Sequence, residues 1–202
     1  LSRMGAIFCE LENPGRLPME VTGSSLESLT HTSPVSSAQV KSALILAGLV
    51  GGVPVSVSEP NCSRDHTERI LRMAGVSIVS HESDGRWQIE LKSPESTMSA
   101  LDIEVPGDFS SAAFFVILAL LGGIKDGLVI ENVGLNPTRI GLLSVLSRMG
   151  AKIEIVQYDH GRTADSEPIG EIHVVPSMLQ STDVTAQEVS SMIDEFPIFA
   201  AA

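Results

Sequence analysis

Two stretches of the chain, 38–50 and 110–121, are apolar nearly all round. A helix of that kind is expected to be buried on most of its faces rather than to lie on a surface. Each ends in a glycine pair, Gly51-Gly52 and Gly122-Gly123, and leads into a strand-like run at 53–57 and at 128–133. A second helix is predicted after each strand, over 65–73 and 137–149. These second helices end on related phrases, Leu71-Arg72-Met73-Ala74-Gly75-Val76 and Leu146-Ser147-Arg148-Met149-Gly150-Ala151, and Leu1-Ser2-Arg3-Met4-Gly5-Ala6 is a third copy. The glycine in each phrase suits the left-handed position that closes a helix. Alternating residues follow each copy, at 7–10, 76–79 and 152–155, then a polar turn and a second strand at 17–21, 87–91 and 171–175.

The pattern is therefore helix, strand, helix, strand, strand, repeated at roughly 75 residues, and a period of that kind marks a modular architecture. Counting from one strand earlier gives a βαβαββ unit, with a further copy beginning near Ser190. Because the first helix of each unit is the most apolar element, the expected fold class is α/β of an inside-out kind, with helices within and sheets outside. The stretch 101–107, with Pro106-Gly107 inside it, is the candidate crossing between two domains.

Composition narrows the class without naming a function. Of 202 residues, 43% are hydrophobic, 19% charged and only 4% aromatic, so the core is aliphatic. A net charge of -12 argues against a nucleic-acid surface, which needs a basic stripe. It does not argue against a small anionic ligand, which a helix start and a few cations can hold. Cys9 and Cys62 do not make a disulfide framework, which suggests a reducing compartment. The longest apolar run, 112–121, is too short to span a bilayer. His31, His66, His81, His160 and His173 lack ligand spacing, so no metal is expected. The first and last residues interrupt helix-like phrases, which reads as a piece of a longer chain.

Three helix starts carry candidate chemistry. At Ser36-Ser37-Ala38-Gln39, Ser36 and Gln39 fit a capping box, while Ser37, Gln39 and the free amides could instead hold an anion. At Arg64-Asp65-His66-Thr67-Glu68, Asp65 and Glu68 fit a cap pair. Arg64 is a cation at the wrong end of the dipole, which an anionic partner would resolve. At Ser191-Met192-Ile193-Asp194, Ser191 is the expected cap with Asp194 at the third helical position; the functional alternative makes Asp194 a general base or a hydroxyl-binding carboxylate. Asn136-Pro137-Thr138-Arg139 and Gly107-Asp108 read as plain caps, with Pro137 first in its helix.

Taken in order, Ser-Ala-Gln-Val-Lys-Ser-Ala (37–43), Ser-Arg-Asp-His-Thr-Glu-Arg (63–69), Val-Pro-Gly-Asp-Phe-Ser-Ser-Ala-Ala-Phe (105–114), Gly-Leu-Asn-Pro-Thr-Arg (134–139), Arg-Met-Gly-Ala (148–151) and Ile-Asp-Glu-Phe-Pro (193–197) resemble the bacterial EPSP synthases, the 3-phosphoshikimate 1-carboxyvinyltransferases. The resemblance covers the whole chain. It implies two domains of three βαβαββ units each, both incomplete here: 1–105 the latter part of the first enolpyruvyl transferase domain and 106–202 the beginning of the second. It also implies transfer of the enolpyruvyl group of phosphoenolpyruvate to the 5-hydroxyl of shikimate 3-phosphate, in aromatic amino acid biosynthesis, by a cytoplasmic enzyme. No cofactor is implied, and the complete enzyme would be a monomer.

By the same resemblance Ser37, Ala38 and Gln39 bind the phosphoshikimate. Arg64 packs a cation near its ring or phosphate, and Asp194 contacts the ring hydroxyls and accepts the proton. Asp194 would lie on the opposite domain from Ser37, Gln39 and Arg64 and meet them only on closure around substrate. The family's Lys-Ser…Arg and Lys-Glu-Ser-Asp-Arg phrases, which supply cations for phosphoenolpyruvate, are not in this sequence, so the piece alone is expected to be inactive. Two rivals remain: a non-catalytic anion-binding module of the same fold, and a UDP-N-acetylglucosamine enolpyruvyl transferase. The latter uses a loop cysteine, and neither Cys9 nor Cys62 stands in a matching phrase.

Overall fold

The computed structural model describes residues 1–92, 98–158 and 165–202; His160 lies outside them. The elements run β1 (Ile7–Glu10), β2 (Met19–Thr22), β3 (Leu29–Thr32), α1 (Ala38–Gly51), β4 (Val55–Glu59), α2 (His66–Met73), β5 (Ile78–Ser83) and β6 (Arg86–Leu91). They continue with α3 (Phe109–Leu120), β7 (Leu128–Gly134), α4 (Gly141–Arg148), β8 (Lys152–Gln157), β9 (Ile169–Val175), α5 (Ala186–Met192) and α6 (Phe196–Phe199). Contacts divide the chain into one unit of Leu1–Cys62 with Ile70–Ala100 and another of Ser63–Arg69 with Leu101–Ala202.

In the first unit β3 to β6 form a sheet of order β3-β4-β6-β5, with β3 parallel to β4 and the other pairs antiparallel. With α1 and α2 between its strands this is one complete βαβαββ unit. Along β4 the alternation Val55-Ser56-Val57-Ser58 buries the valines and leaves the serines half-buried, as a sheet covered on one face requires. Leu44 and Ile45 of α1 and Leu71 of α2 join Val55, Val57, Ile78, Ile89 and Leu91 in one core. The hairpin β1-β2 is a separate antiparallel pair.

In the second unit the sheet order is β7-β9-β8, both pairs antiparallel. A parallel bridge from Gly107 to Val133 stands where the fourth strand would lie. The order Gly107-β7-β9-β8 therefore repeats β3-β4-β6-β5, so the sequence repeat is also a repeat of topology. Its core combines Val116, Ile117 and Leu120 of α3, Leu142 and Leu146 of α4, Ile172 and Val174 of β9, and Met192. The glycine of each repeated phrase is left-handed, with φ of +100° at Gly5, +84° at Gly75 and +93° at Gly150. Side chains other than glycine rarely adopt that conformation, which explains its place in all three copies.

The expected burial of the two apolar helices is only half met. On α1 the stripe Gln39, Ala43, Leu46 and Val50 is exposed; on α3 it is Ser111, Phe114, Phe115, Leu118 and, just beyond the helix, Leu121. These residues recur at helical spacing, so each helix buries one side in its own core and leaves an apolar side uncovered. The reason is architectural: within each unit a single sheet backs the helix, and one sheet covers only one side. Pro137 does not open α4, which begins at Gly141. Asn136 instead closes a turn, its Oδ1 accepting from the amide (2.9 Å) and hydroxyl (2.7 Å) of Thr138.

Candidate functional site

In the first unit the candidate anion site is the start of α1. Ser37, not Ser36, is the N-cap: it is extended, with φ −146°, and its Oγ accepts from the Val40 amide at 3.4 Å. The Ser36/Gln39 capping box is thus corrected. Ser36 Oγ instead donates to the Asn61 carbonyl (2.8 Å) and accepts from the Asn61 amide (2.9 Å), because its side chain points at the loop after β4. Ala38 opens the helix and Gln39 follows it, exposed. The helix start keeps unused amides and an available amide side chain, a geometry suited to an anion.

Beneath this start lies a pair that the motif reading missed. Lys41 Nζ and Glu59 Oε1 stand 3.3 Å apart with both side chains 1% exposed. The signal was present, since Lys41 shares the buried stripe of Leu44, Ile45 and Gly48. Arg86 adds a brace from β6, donating to the Ser33 carbonyl at 2.7 Å and to Ser58 Oγ at 2.8 Å.

In the second unit the structure brings Arg64 and Asp194 together. The Arg64 guanidinium donates to Asp194 Oδ2, so the cation at a helix start has its anionic partner. Both side chains keep contact with solvent, at 32% and 49% exposure. By its contacts the segment 63–69 groups with the unit that holds Asp194. The helix start at Ser191 is corrected as well. α5 begins after Thr185, which forms a capping box with Glu188, and Asp194 sits in a separate 3-10 turn, Ile193–Glu195. Ser191 Oγ donates to the Glu188 carbonyl at 2.9 Å, as a residue inside the helix would.

Around that turn two phrases read as plain caps converge. Asp108 caps α3, accepting from the Ser111 amide at 3.0 Å. Burial pushes its carboxyl up, but the Ser111 amide and the Arg139 guanidinium outweigh this and hold it below the ordinary value. Arg139 Nη2 donates to Asp108 Oδ1 (3.0 Å) and to Ser110 Oγ (2.7 Å). Ser110 Oγ in turn donates to the buried carboxylate of Glu195 at 2.5 Å. Asp65 accepts from Arg69 Nε (2.9 Å) and from Asn136 Nδ2 (2.7 Å), tying the 63–69 segment to the same unit. Among the described residues no group of three or more His, Cys, Asp or Glu side chains is arranged to hold a metal.

The enolpyruvyl transferase NikO from Streptomyces tendae superposes on 93% of the chain with a TM-score of 0.61 at 18% identity, which defines the fold as that of the enolpyruvyl transferases. EPSP synthase from Acinetobacter baumannii superposes on 98% of the chain with a TM-score of 0.77 at 37% identity, over 44% of its own length. The family model for EPSP synthase (3-phosphoshikimate 1-carboxyvinyltransferase) matches residues 1–202, and the chain belongs to that family. The 3-phosphoshikimate 1-carboxyvinyltransferases of Leptospira biflexa and Caldicellulosiruptor bescii are 41% and 43% identical to it over its whole length. The chain spans 46% of the length of each of these two relatives.

Proposed function

We propose that this chain is the central part of an enzyme that transfers the enolpyruvyl group of phosphoenolpyruvate to the 5-hydroxyl of shikimate 3-phosphate. In that reaction the hydroxyl oxygen adds to the carbon bearing the phosphate as the neighbouring methylene carbon gains a proton. The tetrahedral adduct then loses phosphate and a proton, which restores the double bond. Ser37, Ala38 and Gln39 hold the phosphate and ring of shikimate 3-phosphate, Arg64 supplies a cation to the same substrate, and Asp194 takes the hydroxyl proton.

The observation that carries the reading is the Arg64–Asp194 pair, a substrate cation and a candidate base held side by side and open to solvent. A substrate anion that claims Arg64 would free the carboxylate to act as base. In keeping with the family, 1–105 is proposed as the latter part of one domain and 106–202 as the beginning of the other, in a monomeric enzyme. A cytoplasmic setting is proposed in keeping with the family. No helix among the described residues is long and apolar enough to cross a membrane.

The test is Asp194→Asn in a chain of the relatives' full length. Phosphate release from phosphoenolpyruvate should fall by roughly 10²–10⁴ while shikimate 3-phosphate still binds by calorimetry. Near-normal turnover would remove Asp194 from the chemistry.

A further inference from the structure

We propose that Ser110, Glu195 and Arg139 are positioning residues for Asp194, an inference that rests on the reading of Asp194 as the proton acceptor. Asp194 and Glu195 are neighbours in the three-residue turn Ile193–Glu195, and their side chains have opposite surroundings. Asp194 is half exposed and, among the described residues, its side chain is held only by Arg64, so once a substrate anion claims Arg64, packing does not fix its direction. Glu195 is 2% exposed, and a carboxylate so far from water is costly unless its oxygens are hydrogen-bonded.

Ser110 supplies that bond from the first turn of α3, and its hydroxyl is itself held by Arg139 Nη2, which also grips the Asp108 cap. A chain of bonds therefore runs from the N-cap of α3 through Arg139 and Ser110 to Glu195. It pins the turn, whose own 3-10 hydrogen bonding is weak. With Glu195 fixed inward, the backbone of the turn presents Asp194 outward in one direction. A loss of aim of about 1 Å at a reacting group costs as much as 10²-fold in rate, so this anchoring has a kinetic consequence.

The experiment is a double-mutant cycle in a chain of the relatives' full length, with unfolding midpoints measured alongside. Ser110→Ala should lower kcat by about tenfold and leave KM for shikimate 3-phosphate unchanged. Ser110→Thr, which restores a hydroxyl, should recover most of that loss. In an Asp194→Asn background Ser110→Ala should cause no further fall, since there is no base left to aim. Equal losses in both backgrounds, or a Ser110→Ala enzyme with unchanged kcat beside an impaired Asp194→Asn, would overturn the positioning role alone. Normal turnover by Asp194→Asn would overturn the reading of the base, and this inference with it.

Discussion

Lys41 stands where its helix calls for an apolar side chain, one turn above Leu44 and Ile45 on the buried stripe. A buried ion pair contributes little net stability relative to a packed apolar pair, yet removing one partner strands a charge away from water. Glu59→Ala should therefore destabilise by about 3–5 kcal/mol in urea unfolding, while the pair replacement Lys41→Met with Glu59→Leu should be close to neutral. A much smaller loss for Glu59→Ala would mean that other groups or water take up the Lys41 charge. Gln39 is the contrasting case at the same helix start, exposed and outside any capping bond with Ser36. At full length Gln39→Ala should weaken shikimate 3-phosphate in calorimetry and leave the unfolding midpoint nearly unchanged. The opposite result, lost stability with unchanged affinity, would return Gln39 to a structural role.

The helices carry their own predictions. At the start of α5 the Glu188 carboxylate accepts from the Thr185 amide at 2.9 Å and from Arg148 at 2.5 Å. The Arg148 bond first, then the Thr185 bonds, lower its pKa from 4.5 to about 2. A depressed carboxylate stabilises the fold above its unfolded value, and that contribution is lost as pH falls from about 4.5 toward 2. Between those limits Glu188→Gln should show a flatter dependence of unfolding free energy on pH than the parent chain; identical slopes would remove Glu188 as the source. This helix start was legible, since Thr185-Ala186-Gln187-Glu188 is a capping-box pattern, and placing the start at Ser191 overlooked it. The strands and repeats were readable because period 2 and the recurrent Arg-Met-(Ala)-Gly phrase are local signals. Arg64 with Asp194, and Ser110 with Glu195, were not, because they lie 130 and 85 residues apart and their meeting depends on topology. What the sequence did expose was the tension that the first pair resolves, a cation at a helix start.

At the scale of the whole molecule, the exposed stripes on α1 and α3 meet the fact that the chain spans 46% of the length of its Leptospira relative. Phe114, Phe115, Leu118 and Leu121 are each about half exposed, and side chains of that size contribute about 1.5–3 kcal/mol each when fully buried. A chain of the relatives' length contains further residues able to cover such faces. The 202-residue chain alone should therefore bind a hydrophobic dye such as anilinonaphthalene sulfonate, and Leu118→Lys should reduce that signal without lowering its unfolding midpoint. If the additional residues of a full-length chain cover that face, the same substitution should cost stability there, and an unchanged full-length midpoint would mean that the face stays open. Catalysis follows the same division. This chain carries 13 Lys and Arg against 25 Asp and Glu, whereas the proposed reaction requires two anionic substrates to be brought together against their own repulsion. Arg64 is the cation proposed to serve substrate, and it already faces Asp194. The 202-residue chain should accordingly bind shikimate 3-phosphate weakly at most and release no phosphate from phosphoenolpyruvate. The full-length protein should do both, with Asp194→Asn retaining only the binding. Measurable enolpyruvyl transfer by the 202-residue chain would mean that the residues holding phosphoenolpyruvate lie within it and have been missed.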